Sequence, residues 1–131
     1  MRAELYTRQY SGVLCSWLEV RGLDTGLIQD LPKLGYVIIN DKNLVAAGFL
    51  RQCEGGHGIL DSFITDPTAP AEERDNAMNL LFKSLIEQGK KLGLRQLMGF
   101  TVDAFTLSRA KRFGMTATSF TTLVLPLKGL K

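Results

Sequence analysis

The segment DPTAPAEERDNAM, residues 66–78, joins an apolar, strand-like stretch to an amphipathic helix. The start of a helix can bind phosphate, because its first backbone N–H groups lack intrahelical partners and its dipole favours an anion. Phosphate-binding junctions of this kind usually supply glycines and positive charge, whereas this one supplies Glu72, Glu73, Asp75 and only one arginine, Arg74. If the acids point outward and Arg74 points inward, its guanidinium can bind a phosphate in bidentate fashion.

The same segment also has a purely structural interpretation. Pro67 or Pro70 then occupies the first helical turn, and Asp66 or Thr68 caps it. The acidic residues stabilise the helix dipole, each by about 0.3 to 1 kcal/mol. In that interpretation nothing needs to bind, and the sequence leaves both interpretations open.

The cysteine and histidine content argues against metal chemistry. Cys15 and Cys53 lie in apolar contexts without the C-x-x-C spacing of zinc and redox sites, so we expect both to be reduced and partly buried. His57 is the single histidine and sits in a Gly-Gly-His-Gly turn, where a catalytic role is the less favoured interpretation. We therefore expect no catalytic metal.

Length and composition indicate one soluble globular domain. The chain has 131 residues, of which 45% are apolar and 22% charged, and no stretch approaches the roughly 20 apolar residues that span a bilayer. The N-terminus lacks an apolar signal region, so we expect a cytoplasmic protein with no membrane partner. The net charge of +3 permits an anionic ligand, but the basic residues are dispersed. Nucleic-acid binding, supported only by this basic balance and by Lys128 and Lys131, is not expected.

The N-terminal third of the chain predicts a strand, a helix and a loop. An opening strand over residues 3–9 precedes a short amphipathic helix that begins behind Ser11, its predicted N-cap, and ends at Gly22. Residues 22–35 are interrupted by glycine and proline, which predicts a loop or an irregular helix.

The remainder predicts a mixed sheet. YVIIN, LVAAGFLRQ and ILDSFIT are joined by polar turns and predict three consecutive antiparallel strands. A long helix with apolar residues from Met78 to Leu92 leads to the strand RQLMGFTV through a parallel crossover. A short helix over residues 104–113 and a last strand, ATSFTTLVLPL, complete the order. The predicted fold class is α/β (α+β): a mixed, mostly antiparallel sheet with helices on both faces, in one domain over residues 1–131.

This order, together with three local segments, resembles the GNAT acetyltransferase superfamily. The segments are the hairpin LPKLGYVIINDKNLVAAGFL, the helix end KKLGLRQL and the short helix SRAKRFGM. The resemblance implies a GNAT-like acyl-CoA N-acyltransferase domain that uses acetyl-CoA as co-substrate and acetylates an amine. Within the superfamily the chain is similar to small, mostly phage-encoded proteins, which would imply a host cytoplasm; the matching residues are Trp17, Leu31-Pro32, Asp66-Pro67 and Glu73-Arg74.

The chain departs from the superfamily pattern at two places, the coenzyme loop and the general acid. The coenzyme loop of the superfamily, Arg/Gln-x-x-Gly-x-Gly/Ala, would fall at residues 72–77, where only Ala77 is small. The coenzyme A loop is therefore degenerate. The tyrosine that serves as general acid in the superfamily is replaced by Ala110, with Ser108 as a weak substitute.

The resemblance nevertheless implies a coenzyme site. The pantetheine arm would contact the backbone of Phe63, Ile64 and Thr65. The pyrophosphate would lie against Arg74, Asp75, Asn76 and Ala77. Arg109, with its neighbours Lys111 and Arg112, would supply a further phosphate contact; the alternative is a solvated basic face.

Catalysis by the resembling enzymes needs a base for the amine proton. Asp61 and Ser62 alternate on the strand, so one of them faces the cleft, and Asp61 is our candidate base; the alternative is a rim residue that bonds to the neighbouring strand. The helix of Trp17 would border the acceptor site, where Glu19 and Arg21 could contact the substrate.

The sequence supports two functions. The first is acetyl-CoA-dependent N-acetylation of an unknown amine or protein acceptor by direct transfer. The second is a catalytically inactive GNAT-fold module that binds another protein, for instance a host protein. Because TSFTTLVLPL would form a long apolar edge, we also expect a homodimer through this last strand.

Overall fold

The computed structural model describes residues 1–128, so Lys131 lies outside the described part of the chain. A five-stranded sheet in the order β1-β2-β3-β4-β5 forms the centre of a first compact unit, Met1–Thr101, and a second unit begins at Val102. The strands are β1 Arg2–Leu5, β2 Leu34–Asn40, β3 Asn43–Cys53, β4 His57–Thr65 and β5 Gln96–Gly99. The helices are α1 Ser11–Val20, α2 Ala71–Lys91 and α3 Ala104–Arg112, with short 3-10 helices at Arg8–Tyr10 and Thr25–Asp30.

Neighbouring strands among the first four are antiparallel, and β2, β3 and β4 form the predicted meander. The turn between β2 and β3 contains Asp41 in the left-handed region, at φ 56°, a conformation that Asp and Asn tolerate better than most residues. The turn between β3 and β4 uses Gly55 and Gly56, both at φ 80°, where a side chain would be strained. Strand β5 then pairs parallel to β4, which confirms the predicted crossover through α2.

One face of the sheet packs against α1. Leu14, Trp17 and Leu18 of α1 are buried with alternate residues of the strands, because successive side chains of a strand point to opposite faces. The strand residues of this cluster are Val37, Ile39, Ala47, Phe49 and Ile64.

The opposite face packs against α2. Phe63 of β4 stacks on Phe82 of α2 with ring centroids 5.1 Å apart, and the Tyr36 hydroxyl donates to Gln88 Oε1 at 3.1 Å. Gly48 permits this packing, since a Cβ there would lie 2.7 Å from Phe63 Cδ1. The predicted fold class is thus confirmed: a mixed, mostly antiparallel sheet carries a helix on each face.

Several predicted boundaries were wrong. Tyr10, not Ser11, occupies the N-cap of α1, and the predicted loop after Gly22 contains a 3-10 helix whose start is capped by Asp24 Oδ1, which accepts from Gly26 N at 2.8 Å. Helix α2 begins at Ala71 with Pro70 as its N-cap, so neither Asp66 nor Thr68 caps it as predicted, and its acidic residues lie in the first turn.

The last predicted strand is also corrected. Residues 115–127 contain no assigned strand in the part of the chain that the structure describes. The sequence has the β-branched and apolar residues of a strand, but a strand also needs a neighbour to complete its hydrogen-bond ladder.

Candidate functional site

The sheet opens between β4 and β5. The two strands pair only from His57 opposite Gln96 to Leu60 opposite Gly99, whereas β4 continues to Thr65. Residues 61–65 therefore pair with β3 on one side, and no described strand pairs with them on the other. Backbone N–H and C=O groups along this edge are available to an extended ligand.

A bulge in β4 marks the start of the opening. Between the pairs Phe49–Asp61 and Ala47–Ile64, β4 has one more residue than β3, and Ser62 lies in the left-handed region at φ 54°. A bulge bends its strand and changes the direction of the following side chains. Here Phe63 packs toward α2 while Ile64 returns to the core beside α1.

The candidate base Asp61 lies at this bulge and already has two partners. Its Oδ2 is 3.0 Å from both Nε and Nη2 of Arg51, and its Oδ1 accepts from Ser62 Oγ at 2.9 Å. Arg51 also donates to the carbonyl of Asp30. The structure thus brings the two predicted catalytic residues together, in a cluster with an arginine that the sequence analysis did not select. Asp61 remains 31% exposed, so a substrate can still reach it.

The far end of the open edge is joined to α1. Arg21, the residue after α1, donates from Nη2 to Thr65 Oγ1 at 2.9 Å and from Nη1 to the Thr65 carbonyl. Arg21 was predicted to lie on the acceptor side, with no contact to Thr65. No local pattern could have shown this contact, because 44 residues separate the two positions.

Arg74 lies close to this contact. The side chain is half-buried, and its Nε is buried without a hydrogen-bond partner in the described chain. Burial lowers the pKa of Arg21, and the charge of Arg74 lowers it further, while Asp66 acts in the opposite direction. Two guanidiniums therefore lie near one another at the end of β4, and an anion placed between them would relieve their repulsion.

The start of α2 has unpaired donors and partly redirected acids. Pro70 is the N-cap residue and no described side chain caps this end, so the N–H groups of residues 71–73 precede the first helical bond, Arg74 N to Pro70 O at 3.0 Å. Glu73 Oε1 accepts from Asn40 Nδ2 at 3.0 Å. Asp66 does not cap the helix; its Oδ1 accepts from the backbone N and the hydroxyl of Thr68, each at 2.8 Å.

The other residues predicted for the pyrophosphate lie further along α2. Glu72, Asp75 and Asn76 are exposed, and Ala77 is fully buried against the sheet. The N–H groups of residues 71–73 thus overlap only the start of the predicted loop position, residues 72–77, and the rest of that position lies inside the helix.

A cleft of about 660 Å³ adjoins this helix start. Its apolar wall comes from α1 and β3, and Asp66 and Glu73 bring carboxylates to it. The main lining residues are Tyr10, Val13, Trp17, Leu44, Val45, Asp66, Ala69, Pro70 and Glu73. The sequence analysis did not predict this cleft, because its walls come from four separate segments.

Arg109 belongs to α3 in the second unit, where it is buried. Asp103 caps α3: hydrogen bonds from Thr106 lower its pKa, with a smaller contribution from the charge of Arg109. Ser108 is exposed on the same helix.

The remaining features of residues 1–128 to consider are the cysteines, possible metal ligands and possible membrane-spanning helices. Cys15 and Cys53 are free and half-buried. The described residues include no cluster of three or more metal-ligating side chains, and none of their helices is both long and apolar enough to cross a membrane.

No protein-family model matches the chain, and no curated protein matches it in sequence. Solved structures do match. A crystal structure of a probable acetyltransferase superimposes with a TM-score of 0.74 at 12% identity, covering 99% of this chain and 100% of that one. A ribosomal-protein-alanine N-acetyltransferase from Brucella melitensis superimposes with a TM-score of 0.70 at 13% identity, covering 97% of this chain and 100% of that one. A Mycobacterium tuberculosis protein in complex with CoA and NLQ superimposes with a TM-score of 0.73 at 12% identity, covering 95% of this chain and 76% of that one. The chain therefore has the fold of the GNAT acetyltransferases.

Proposed function

We propose that the protein is an N-acetyltransferase that transfers an acetyl group directly from acetyl-CoA to an amine. The observation that carries this proposal is the open edge of β4 over residues 61–65, which leads to the uncapped start of α2 beside Arg74. The superposition on a protein in complex with CoA supports it.

The pantetheine arm would bind along the open edge. Its amides can pair with the backbone of Phe63, Ile64 and Thr65 as an added strand does. At Ile64 only the backbone is available, because the side chain is buried in the core. At Thr65 the hydroxyl and the carbonyl already accept hydrogen bonds from Arg21. This explains why the contact leaves little trace in the residue types.

The pyrophosphate would bind at the start of α2. The N–H groups of residues 71–73 and the helix dipole favour an anion there. Arg74 fits this role, since its buried Nε has no partner within the described chain and a phosphate oxygen would provide one. Asp75 and Asn76 would line the solvent side, and Ala77 would hold α2 on the sheet. Arg109 is proposed as a further phosphate contact on the resemblance alone.

The residues proposed for catalysis, Asp61 and Ser62, lie at the bulge of β4. Acetyl-CoA would supply a thioester whose carbonyl carbon the amine attacks; the C–N bond forms, the C–S bond breaks, and the sulfur leaves as a thiolate. Asp61 would take the proton that the amine nitrogen loses, directly or through a water. Ser62 Oγ would orient the carboxylate through its 2.9 Å bond to Oδ1, and Arg51 would hold the other oxygen. The leaving thiolate would take its proton from solvent, since Ala110 cannot donate one.

A second candidate is a GNAT-fold module without catalysis that binds another protein, a host protein if the chain is of the phage type. One observation favours it: the residues that would form the glycine cradle are helical and include exposed Glu72 and Asp75, which oppose a phosphate. Both candidates predict the same fold and differ in ligand binding.

Calorimetric titration of the chain with acetyl-CoA and with CoA separates them. Binding near micromolar strength, together with a thermal shift, supports the transferase, because a ligand that binds only the native state stabilises it. Absence of heat and of a thermal shift at millimolar ligand would reject it in favour of protein binding. If binding occurs, a screen of amine acceptors with detection of free thiol tests turnover.

A further inference from the structure

The cleft beside the start of α2 is lined by charges of both signs. Its lining residues include the acids Asp66 and Glu73, and also Lys42 and Asn43 from the turn between β2 and β3. Its volume of about 660 Å³ lies within the range of about 300 to 1,000 Å³ that is usual for small-molecule sites. The charged side chains of the cleft take no part in the proposed coenzyme site.

The opposite charges in the cleft do not pair with each other. In the described part of the chain, the Lys42 ammonium forms no ion pair and no hydrogen bond. Glu73 Oε1 accepts from Asn40 Nδ2 at 3.0 Å, whereas no hydrogen bond within residues 1–128 involves Glu73 Oε2. The bond to Asn40 holds the Glu73 carboxylate in place before a ligand arrives, which lowers the entropy cost of binding. A ligand that carries both an ammonium and a carboxylate would satisfy Glu73 and Lys42 together.

The second acid, Asp66, is less suited to hold a ligand. Its Oδ1 already accepts from the backbone N and the hydroxyl of Thr68, each at 2.8 Å. Its charge also acts on the nearby guanidinium of Arg21, which partly neutralises it. Glu73 is therefore the carboxylate that the ammonium of a ligand would bind.

The remaining walls of the cleft are apolar. Val13 and Trp17 are four residues apart on α1 and so lie on the same side of this helix, and Leu44 and Val45 come from β3. Val13 is 41% exposed beside the buried indole of Trp17, so part of this apolar surface is uncovered. An apolar group of a ligand would remove this surface from water, which favours binding.

We propose that this cleft is a binding site for a small zwitterion of the apolar amino-acid class. The ligand ammonium would bind Glu73 Oε2, and its carboxylate would bind the Lys42 ammonium beside the Asn43 amide. Its apolar side chain would cover Val13 next to Trp17. A simple amine would leave Lys42 without a partner, and a simple carboxylate would leave Glu73 without one.

This site differs from the place where acetyl transfer is proposed. Asp66, at the cleft, follows Asp61 by five residues of mostly extended chain, a separation on the order of 15 Å. A general base has to lie within about 3 Å of the atom from which it takes a proton. An amine bound in the cleft is therefore out of reach of Asp61, and the proposal does not depend on the transferase.

Titrations with three probes test the proposal, all without acetyl-CoA, so that their result is independent of coenzyme binding. The probes are L-phenylalanine, 2-phenylethylamine, which lacks the carboxylate, and 3-phenylpropionate, which lacks the ammonium. L-Phenylalanine should bind in calorimetry with a Kd of about 0.1 to 1 mM, and each control at least about tenfold more weakly, because each loses one charge-assisted contact. Amide NMR shifts should map the site to residues 42–45 and 66–73. Equal affinity for the three probes, shifts confined to other residues, or no binding of L-phenylalanine at about 10 mM would overturn the proposal.

Two substitutions assign the charges. Lys42→Ala should weaken L-phenylalanine to the affinity of 2-phenylethylamine, and Glu73→Gln should remove its advantage over 3-phenylpropionate. Glutamine retains an oxygen that can accept from Asn40. Glu72→Gln changes an exposed acid of the same helical turn that does not line the cleft, so it is the matched control and should bind as the wild type does. Variants that keep the probe preferences of the wild type would reject the proposed contacts, and the comparison of probes on the wild type decides if a variant does not fold.

Discussion

Arg21 and Thr65 are joined by two hydrogen bonds from a single guanidinium, one to the Thr65 hydroxyl and one to its carbonyl, across 44 residues of chain. This contact attaches the end of α1 to the end of the open edge of β4. Arg74 is nearby and differs from Arg21 in one respect, since its Nε has no partner in the described chain. Replacing Arg21 and replacing Arg74 should therefore change the free energy of unfolding differently.

Replacing Arg21 by alanine should lower the free energy of unfolding by about 1 kcal/mol, because two charge-assisted hydrogen bonds at a partly exposed site are lost. Arg21→Lys should recover part of the loss, since an ammonium group can reach one acceptor but not match the planar fork. Urea denaturation measures both. Lys33→Ala, at an exposed position, serves as the control and should leave stability unchanged.

Replacing Arg74 by alanine should leave the free energy of unfolding unchanged or raise it, because a buried, unpartnered polar atom is removed. The same variant should bind CoA about tenfold more weakly, which corresponds to about 1.4 kcal/mol in calorimetric titration. Lys83→Ala, on an exposed position of the same helix, is the matched control. Loss of stability together with unchanged affinity would show that Arg74 has a structural role only.

Asp61→Asn should reduce the rate of acetyl transfer at least about a hundredfold, a typical contribution of a general base, while CoA affinity changes little. The amide retains the size of the side chain and its acceptor oxygen for Ser62 but cannot take a proton. Single-turnover rates and calorimetry on the same variant give the two quantities. A transfer rate equal to that of the wild type would remove Asp61 from the mechanism and leave it as the partner of Arg51.

Gly48→Ala should destabilise the fold by about 1 to 3 kcal/mol, the usual effect of overpacking, because the new Cβ would meet the Phe63 ring at 2.7 Å. Gly12→Ala is the matched control. No atom lies within 4 Å of a Cβ at Gly12 in α1, so this change should stabilise the protein by about 0.5 to 1 kcal/mol. Chemical denaturation of the two variants should thus give shifts of opposite sign.

The stability of the protein should depend on Tyr6 at alkaline pH. Burial raises the pKa of this phenol, whose ring packs edge-on against Phe49 at 4.9 Å. A group whose pKa is raised in the folded state stabilises the fold below its unfolded pKa of about 10 and loses that contribution as pH rises further. As pH rises above about 10, the wild type should therefore lose stability more steeply than Tyr6→Phe, as measured by urea denaturation. If the free energy of unfolding falls with pH at the same rate in both proteins, Tyr6 is not the cause of the loss.

The parts of the fold that local patterns specify were predicted well. The hairpin around Asp41 and the long helix α2 follow from turn composition and from apolar spacing, which act over a few residues. The start of α2 was predicted near Pro67 or Pro70 with a cap from Asp66 or Thr68, whereas Pro70 itself is the N-cap and neither side chain caps the helix.

The site depends on relationships that no local pattern encodes. The bulge at Ser62 arises from the register between β3 and β4, and the Arg51–Asp61 ion pair follows from that register. The contact of Arg21 with Thr65 joins the end of α1 to the last strand of the meander, which is distant in sequence. The resemblance selected candidate residues on β4 and α2, and only the tertiary structure gave them partners.

Trp17 is the single tryptophan of the chain, and it is buried in α1 while also lining the cleft beside the start of α2. The tryptophan fluorescence of the protein therefore comes from one position, next to the loop that contains Asp66 and Pro70. Any ligand that orders this loop or displaces water from the cleft changes the surroundings of one indole and shifts its emission. The fold thus contains its own optical probe for ligand binding at this end of the sheet, without labelling.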